Sequence, residues 1–322
     1  MAISRRRLLA LGSMFAAAPG AILAQARLPR VAYLFPFRQE QTTAWWDACR
    51  KGLHELGYEE GRNIVLEPRW SDGDPKKLKA QLEELVPTRP DVIVASSLPA
   101  AAAAKAATTS IPIVFVAVSD PVRFKLVASM AKPGRNVTGL ALLAPDLSAE
   151  RVKVLKELIP SLTTFTVVSN PANSEHKRFL SETADAARDL SLQLAVVEVR
   201  GEDDVDRALD TAQGAMLFLD DVTLWRYRRR AVMRSVQRRL PVMYGDSEFV
   251  REGGFASYGP SRTDLYRRSA EYVDKILKGT RPSQIPVEPA KAFELAVNFK
   301  VARVLGVEVP QTLLQRADEV VR

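Results

Sequence analysis

The chain has 322 residues, of which 47% are hydrophobic and 26% charged, with a formal net charge of +8 and a single cysteine. This composition excludes a disordered low-complexity chain and a disulfide-stapled mini-domain; at roughly 100–200 residues per domain it indicates two globular domains. With only Cys49 available there is no intrachain disulfide and no Cys-rich zinc site, and a chain of this length can bury enough apolar surface to fold without either.

The first residues read as an export signal over 1–26. Ser4-Arg5-Arg6-Arg7 is a basic start, Leu8 to Ala18 an apolar run, and Ala24-Gln25-Ala26 a small-x-small cleavage site. The run is shorter than the ~20 residues that span a bilayer. Paired arginines suit a twin-arginine signal as well as an ordinary one, so the export route stays open. No cysteine stands at the cleavage point, so no lipid anchor is expected. Loss of Arg5, Arg6 and Arg7 would lower the net charge from +8 to +5.

Beyond Pro29, short apolar runs alternate with helical patterns. Arg30–Phe35 predicts a buried strand, Thr42–Leu56 a helix ending at Gly57, and Asn63–Glu67 a second strand. Asp74 is a good N-cap for a helix from Pro75 to Val86. A strand at Asp91–Ala95, a helix at Pro99–Ala107 and a strand at Ile113–Val116 complete the first unit. After Gly139 the alternation restarts: helix Ala149–Leu158, strand Phe165–Val168, helix Ser174–Leu190, strand Leu194–Val199, helix Val205–Gln213, strand Ala215–Leu219, helix Val222–Arg239 and strand Val242–Tyr244. Continuous apolar strands separated by helices predict parallel sheets covered on both faces.

The tail adds a strand at Phe255–Gly259, a helix at Arg262–Leu277, a strand at Ala292–Asn298, and helices from Phe299 and Pro310. The expected fold class is α/β: two doubly wound, Rossmann-like lobes joined by a multi-strand hinge. Lobe one is assigned 27–140 plus 254–279, and lobe two 141–253 plus 280–322. The arginine-rich stretch from Arg226 to Arg239 carries an apolar stripe of Ala231, Val232 and Val236, so it reads as a solvated helix face and not a nucleic-acid footprint.

Several segments, in order, carry a resemblance. They include Gly52-Leu53-His54-Glu55-Leu56-Gly57-Tyr58-Glu59-Glu60-Gly61-Arg62-Asn63, then Arg69-Trp70, Ile111-Pro112-Ile113-Val114-Phe115, Ser119-Asp120-Pro121-Val122 and Pro133-Gly134-Arg135-Asn136-Val137-Thr138-Gly139, with Ile276-Leu277-Lys278-Gly279 and Ala317-Asp318-Glu319 near the end. Together they resemble the substrate-binding proteins of bacterial ABC uptake systems with the type I periplasmic-binding fold, a branch that includes aromatic amino acid binders. Arg123-Phe124-Lys125 and Glu288–Phe293 depart from the family pattern. The resemblance implies a periplasmic protein without cofactor that hands a small molecule to a membrane permease. A monomer is expected, with no nucleic acid, no stable membrane anchor and no catalytic or metal-binding residues.

Ligands of open α/β sheets bind beyond the carboxyl ends of the strands. That rule nominates Phe35 and Phe37 after the first strand, Ser97 and Leu98 after the third, and Ser119 and Asp120 after the fourth. In the second unit it nominates Asn170, Asn173 and Ser174, then Asp220, Asp221 and Thr223, then Asp246, with Tyr258 from the tail. Helix N-termini near Ser97 and Ser174 suit a carboxylate, Asp220, Asp221 or Asp246 an ammonium, and Phe35, Phe37 or Tyr258 an apolar side chain. An amino acid or aromatic acid fits this set. Ser97, Ser174 and Asp221 are equally good helix caps, and Asp120 an equally good turn residue.

Enzyme signatures are sparse. The two histidines, His54 and His176, fall in separate predicted helices, and no nucleophile elbow, P-loop or dinucleotide fingerprint is present. An exported α/β hydrolase or lyase using cleft carboxylates remains the alternative class, and a ligand-sensing receptor subunit a third.

Overall fold

The computed structural model describes residues 27–142 and 147–322, apart from the side chains of Val222 and Thr223; the expected export signal lies outside the described residues. In chain order the first unit comprises β1 (Arg30–Phe35), α1 (Thr43–Glu55), β2 (Val65–Trp70), α2 (Pro75–Leu85), β3 (Val92–Ser96), α3 (Ser97–Ala107), β4 (Ile113–Val118) and β5 (Val137–Ala141). The second comprises α4 (Leu147–Leu158), β6 (Thr164–Ser169), α5 (His176–Asp189), β7 (Gln193–Glu198), α6 (Glu202–Thr211), β8 (Ala215–Phe218), α7 (Val222–Arg226), α8 (Arg228–Gln237), β9 (Val242–Tyr244), α9 (Ser247–Arg251) and β10 (Ala256–Pro260). The tail comprises α10 (Arg262–Leu277), β11 (Glu288–Pro289), β12 (Phe293–Asn298), α11 (Phe299–Leu305), α12 (Gln311–Arg316) and β13 (Glu319–Val321).

The strands form two sheets, ordered β11-β5-β4-β3-β1-β2 and β13-β12-β10-β9-β8-β6-β7. Pairing is parallel throughout, except that β12 runs antiparallel to β10. β3 and β4 are buried along their whole length, as a sheet covered on both faces requires. The helices bury one stripe each: α1 turns Trp45, Ala48, Cys49, Gly52 and Leu53 inward, the i, i+3, i+4, i+7 spacing that faces one side of a helix. Asp74 caps α2 by accepting the Lys76 N–H at 2.8 Å. Cys49 is fully buried, and that burial pushes its thiol up to about 12.

The tail requires two corrections to the lobe assignment: β10 belongs to lobe two, and the segment through β11, assigned to lobe two with 280–322, belongs to lobe one. Strand β10, expected in lobe one, joins the second sheet beside β9. The short helix α9, missed in the sequence, supplies the crossover from β9, and a strand returning through such a crossover settles in the same sheet as its predecessor. The following helix α10 packs on α1 of the first lobe. The segment after it stays there, with Thr138 Oγ1 donating to the Ile285 carbonyl at 2.6 Å and β11 pairing with β5. The chain therefore passes between lobes after β5, after β10 and after β11.

The arginine-rich stretch is also rearranged. It breaks at Tyr227 into α7 and α8. Arg230, Arg234 and Arg238 are paired with Asp206 and Asp210 of α6. Arg228 turns inward, bonds Glu252 at 3.0 Å and lies 4.6 Å from the Trp225 ring centre.

Candidate functional site

A cavity of about 390 Å³ lies between the lobes, at the carboxyl ends of the strands of both sheets. Its size is within the range of small-molecule pockets. Lobe one contributes Phe37 after β1, Trp45 from α1, Ser97 and Leu98 after β3, Ala117 to Ser119 at the end of β4, Phe124, and Arg262 at the start of α10. Lobe two contributes Ser148 and Arg151 of α4, the loop Ala172–Glu175 after β6, Phe218 to Asp221 after β8, Leu224 and Trp225 of α7, and Gly245, Asp246 and Phe249 after β9.

On the lobe-one wall the backbone is strained at two lining positions. Ser97 has φ 67° and Ala117 φ 61°, the left-handed region that a residue with a Cβ seldom occupies. Ala117 is the extra residue of a bulge between Val116 and Val118, which breaks the register of β4 with β5 and re-aims the strand end. The Ser97 hydroxyl is buried and has no hydrogen-bond partner. Beneath it, Ser96 Oγ hydrogen-bonds the Tyr266 hydroxyl, and Tyr266 stacks on Trp45 with ring centres 5.1 Å apart.

The lobe-two wall is a set of paired charges. The Arg151 side chain is 3% exposed; its Nη2 bonds Asp220 Oδ2 at 2.6 Å and its Nε donates to the Tyr258 carbonyl at 2.7 Å. Asp220 itself is 44% exposed, so its carboxylate remains accessible from the cavity. Gly245 makes room for this pair, since a Cβ there would sit 1.8 Å from Asp220 Oδ1, whereas a Cβ on Gly259 would first strike the Gly245 carbonyl oxygen at 1.9 Å. Asp221 accepts the amides of Asn170 and Asn173 at 3.1 and 3.0 Å, which ties the loop after β6 to the loop after β8. His176 ties the same two loops from below, accepting the Asn170 N–H at Nδ1 (2.8 Å) and donating from Nε2 to the Asp220 carbonyl at 3.1 Å. This fully engaged imidazole positions a loop.

The two walls meet around an aromatic cluster. Trp225 lies 5.8 Å from Trp45, 6.4 Å from Phe37 and 5.6 Å from Phe249, between ring centres. Arg262 pairs with Asp246 and lies over both Trp45 and Trp225, at 5.5 and 5.2 Å. Burial opposes the Arg262 charge, but Asp246, facing it, keeps the guanidinium above its ordinary value. The Trp225 Nε1 is buried without a partner.

Of the nominated residues, Phe37, Ser97, Leu98, Ser119, Asn170, Asn173, Ser174, Asp220, Asp221 and Asp246 line this one cavity. Three do not. Phe35 is 1% exposed and packs among Tyr33, Trp46, Trp70 and Tyr266, because alternation along β1 puts it on the same inward face as Val31 and Tyr33. Asp120 caps a turn, accepting the N–H groups of Val122 and Arg123 at 3.2 and 3.0 Å. Tyr258 packs against the lobe-two core from within β10 and lends the site only its carbonyl. The Thr223 side chain lies outside the described residues. Sequence reasoning missed Arg151, Arg262, Trp225, Phe249 and Glu175. The proximity of Trp225 to the arginine run was the available signal for one of them.

Among the described residues no group of three or more His, Cys, Asp or Glu is placed to hold a metal, and no helix is long and apolar enough to cross a membrane.

Two doubly wound lobes, three passages of chain between them and a polar cavity at the facing strand ends define a type I periplasmic-binding fold. Over residues 32–321 the chain matches the family described as ABC transporter substrate binding protein, and it belongs to that family. It is 26% identical over 262 residues to a tyrosine-binding protein of Clostridioides difficile (strain R20291), covering 80% of this chain and 75% of that one. A conserved domain protein from Vibrio cholerae superposes with a TM-score of 0.79 at 29% identity, covering 91% of this chain and all (100%) of that one. An ABC domain from Streptococcus pneumonia, solved in complex with L-Trp, shares the fold with a TM-score of 0.80 at 24% identity, over 91% of this chain and 100% of that one.

Proposed function

We propose that this protein is exported to the periplasm, captures an amino acid with an aromatic side chain in the inter-lobe cavity, and delivers it unchanged to the permease of an ABC importer. The observation that carries the ligand class is an unmatched set of polar groups on the two walls. The Ser97 hydroxyl and the Trp225 indole N–H are buried donors without partners, and a buried donor left unpaired is costly unless something supplies an acceptor. A ligand carboxylate is an acceptor suited to both. Across the cavity the accessible Asp220 carboxylate suits an ammonium. Phe37, Trp45, Trp225 and Phe249 supply faces for an aromatic ring. The tyrosine-binding relative supports the same class.

A thermal-shift screen over amino acids, aromatic acids, sugars and nucleosides tests the reading. A ligand that binds only the folded protein raises its stability by about 2.7 kcal/mol at a hundredfold excess over Kd. Aromatic amino acids should shift the midpoint and be recovered chemically intact. A shift by sugars alone overturns the ligand class, and turnover lost on changing a cleft carboxylate overturns the transport role. Mass spectrometry of the periplasmic protein should find a new N-terminus close to Arg27; only full-length cytoplasmic protein would contradict export.

A further inference from the structure

The carboxylates that line the cavity are not equivalent. Asp220 is held by Arg151, Asp246 by Arg262, and Asp221 by two asparagine amides. Glu175 is the exception. The residue is 5% exposed and lines the cavity. It stands at the N-cap of α5 yet makes no capping bond through its side chain. Among the described residues its carboxylate forms no hydrogen bond and no ion pair. Arg178, one turn further on, is engaged with Glu182 at 2.7 Å. The backbone at Glu175 is nevertheless fixed, its N–H donating to Asn173 Oδ1 at 3.1 Å. The residue is largely withdrawn from bulk water and lines the cavity, so a donor on a bound ligand would supply the partner its carboxylate lacks.

We propose that Glu175 is a specificity-determining residue that accepts a hydrogen bond from a donor carried on the ligand's ring, a phenolic O–H or an indole N–H. This rests on the reading of the ligand as an aromatic amino acid. The surroundings favour a ring donor over the ammonium. Phe179 lies one turn along α5 on the same face as Glu175, and Phe124 lines the cavity from the other lobe. Such neighbours suit an aromatic ring better than a strongly hydrated cation, for which Asp220 is the accessible partner on a different loop. The protein should therefore prefer tyrosine or tryptophan to phenylalanine.

Calorimetric titration of tyrosine, tryptophan and phenylalanine into the full mature protein, and into Glu175→Leu and Glu175→Gln, tests this. A hydrogen bond to a charged acceptor makes the preferred ligand bind about tenfold or more tighter than phenylalanine. Glu175→Leu should bring that ligand down to the phenylalanine level while leaving phenylalanine within about twofold, and Glu175→Gln, which keeps an acceptor, should fall between. Equal affinities for all three in the unmodified protein overturn the proposal and leave the amino acid reading standing; so does an equal loss for all three in Glu175→Leu. No binding of any of the three overturns both. If Glu175→Leu does not fold, Glu175→Gln and the phenylalanine ratio of the unmodified protein decide.

Discussion

The two walls of the cavity are built on opposite plans. Lobe two presents charges that are mostly paired and braced, Arg151 on Asp220, asparagine amides on Asp221 and His176 across two loops, with Glu175 and the Trp225 indole N–H as its exceptions. Lobe one presents hydroxyls and aromatic faces on strained backbone, with a donor left unpaired at Ser97. The contrast indicates a division of labour. A wall whose charges are pre-organised loses little on meeting a ligand, whereas the lobe-one wall holds two left-handed residues and, among the described residues, no braced ion pair of its own. On our reading of the proposed function, lobe two would serve as the docking platform and lobe one as the cover, with Trp225 reaching across to Trp45 and Phe37.

The sharpest way to break this contrast is to remove charge from the platform. Asp220→Ala leaves the nearly buried Arg151 with only backbone carbonyls. It should cost about 2–3 kcal/mol in stability, at or below the low end for a broken buried pair because Asp220 is half-exposed, and should weaken amino acid binding more than tenfold. Denaturant unfolding and calorimetry measure both; an unchanged midpoint would show that the pair does not brace the wall. Next in size is Gly245→Ala. The added methyl would meet Asp220 Oδ1 and Arg151 Nη2 together, so the expected loss is about 1–3 kcal/mol, typical of overpacking, and affinity should fall with it. Full affinity in this variant would mean that the pair can shift without consequence for the ligand.

The difference between the walls also bears on what could be read in the sequence. The strand-end rule located ten lining residues because it follows from parallel topology, and that topology was legible in the alternation of buried strands with amphipathic helices. Phe35 was misplaced by a matter of parity: two residues further on, Phe37 has left the strand and reaches the cavity. Arg151 and Arg262 were not legible, since each is placed by partners distant in the chain, Asp220 and Gly245 for one and the two tryptophans for the other. Strand β10 went to the wrong lobe because a five-residue helix, α9, is too short to show a period. Glu175 fell in the first turn of the expected Ser174–Leu190 helix and was not nominated; its place in the cavity without a capping bond is what sets it apart.

A smaller effect tests the reach of lobe two across the gap. Trp225→Phe keeps the ring among Trp45, Phe37 and Phe249 but removes the unpaired N–H. Stability should hold or rise slightly, because a buried donor without a partner is deleted, while affinity for a carboxylate ligand drops about two- to tenfold. The same ligand lacking its carboxylate, the corresponding aromatic amine, should bind both proteins equally. Equal loss for acid and amine would assign the tryptophan to packing alone.

The smallest effects belong to the cover, and Ser97 separates its two features. Ser97→Ala removes the hydroxyl and keeps the left-handed backbone; Ser97→Gly removes both the hydroxyl and the cost of that backbone. A left-handed residue costs about 1–2 kcal/mol and glycine gives back about 0.5–1 kcal/mol of that through chain entropy. Ser97→Gly should therefore be more stable than Ser97→Ala by up to about 1 kcal/mol in thermal unfolding without ligand. Both should lose affinity to the same extent, since both lack the donor to the carboxylate. If Ser97→Gly lost much more affinity than Ser97→Ala, the strained backbone itself would be holding the loop in its binding geometry, and the cover would be pre-organised like the platform it faces.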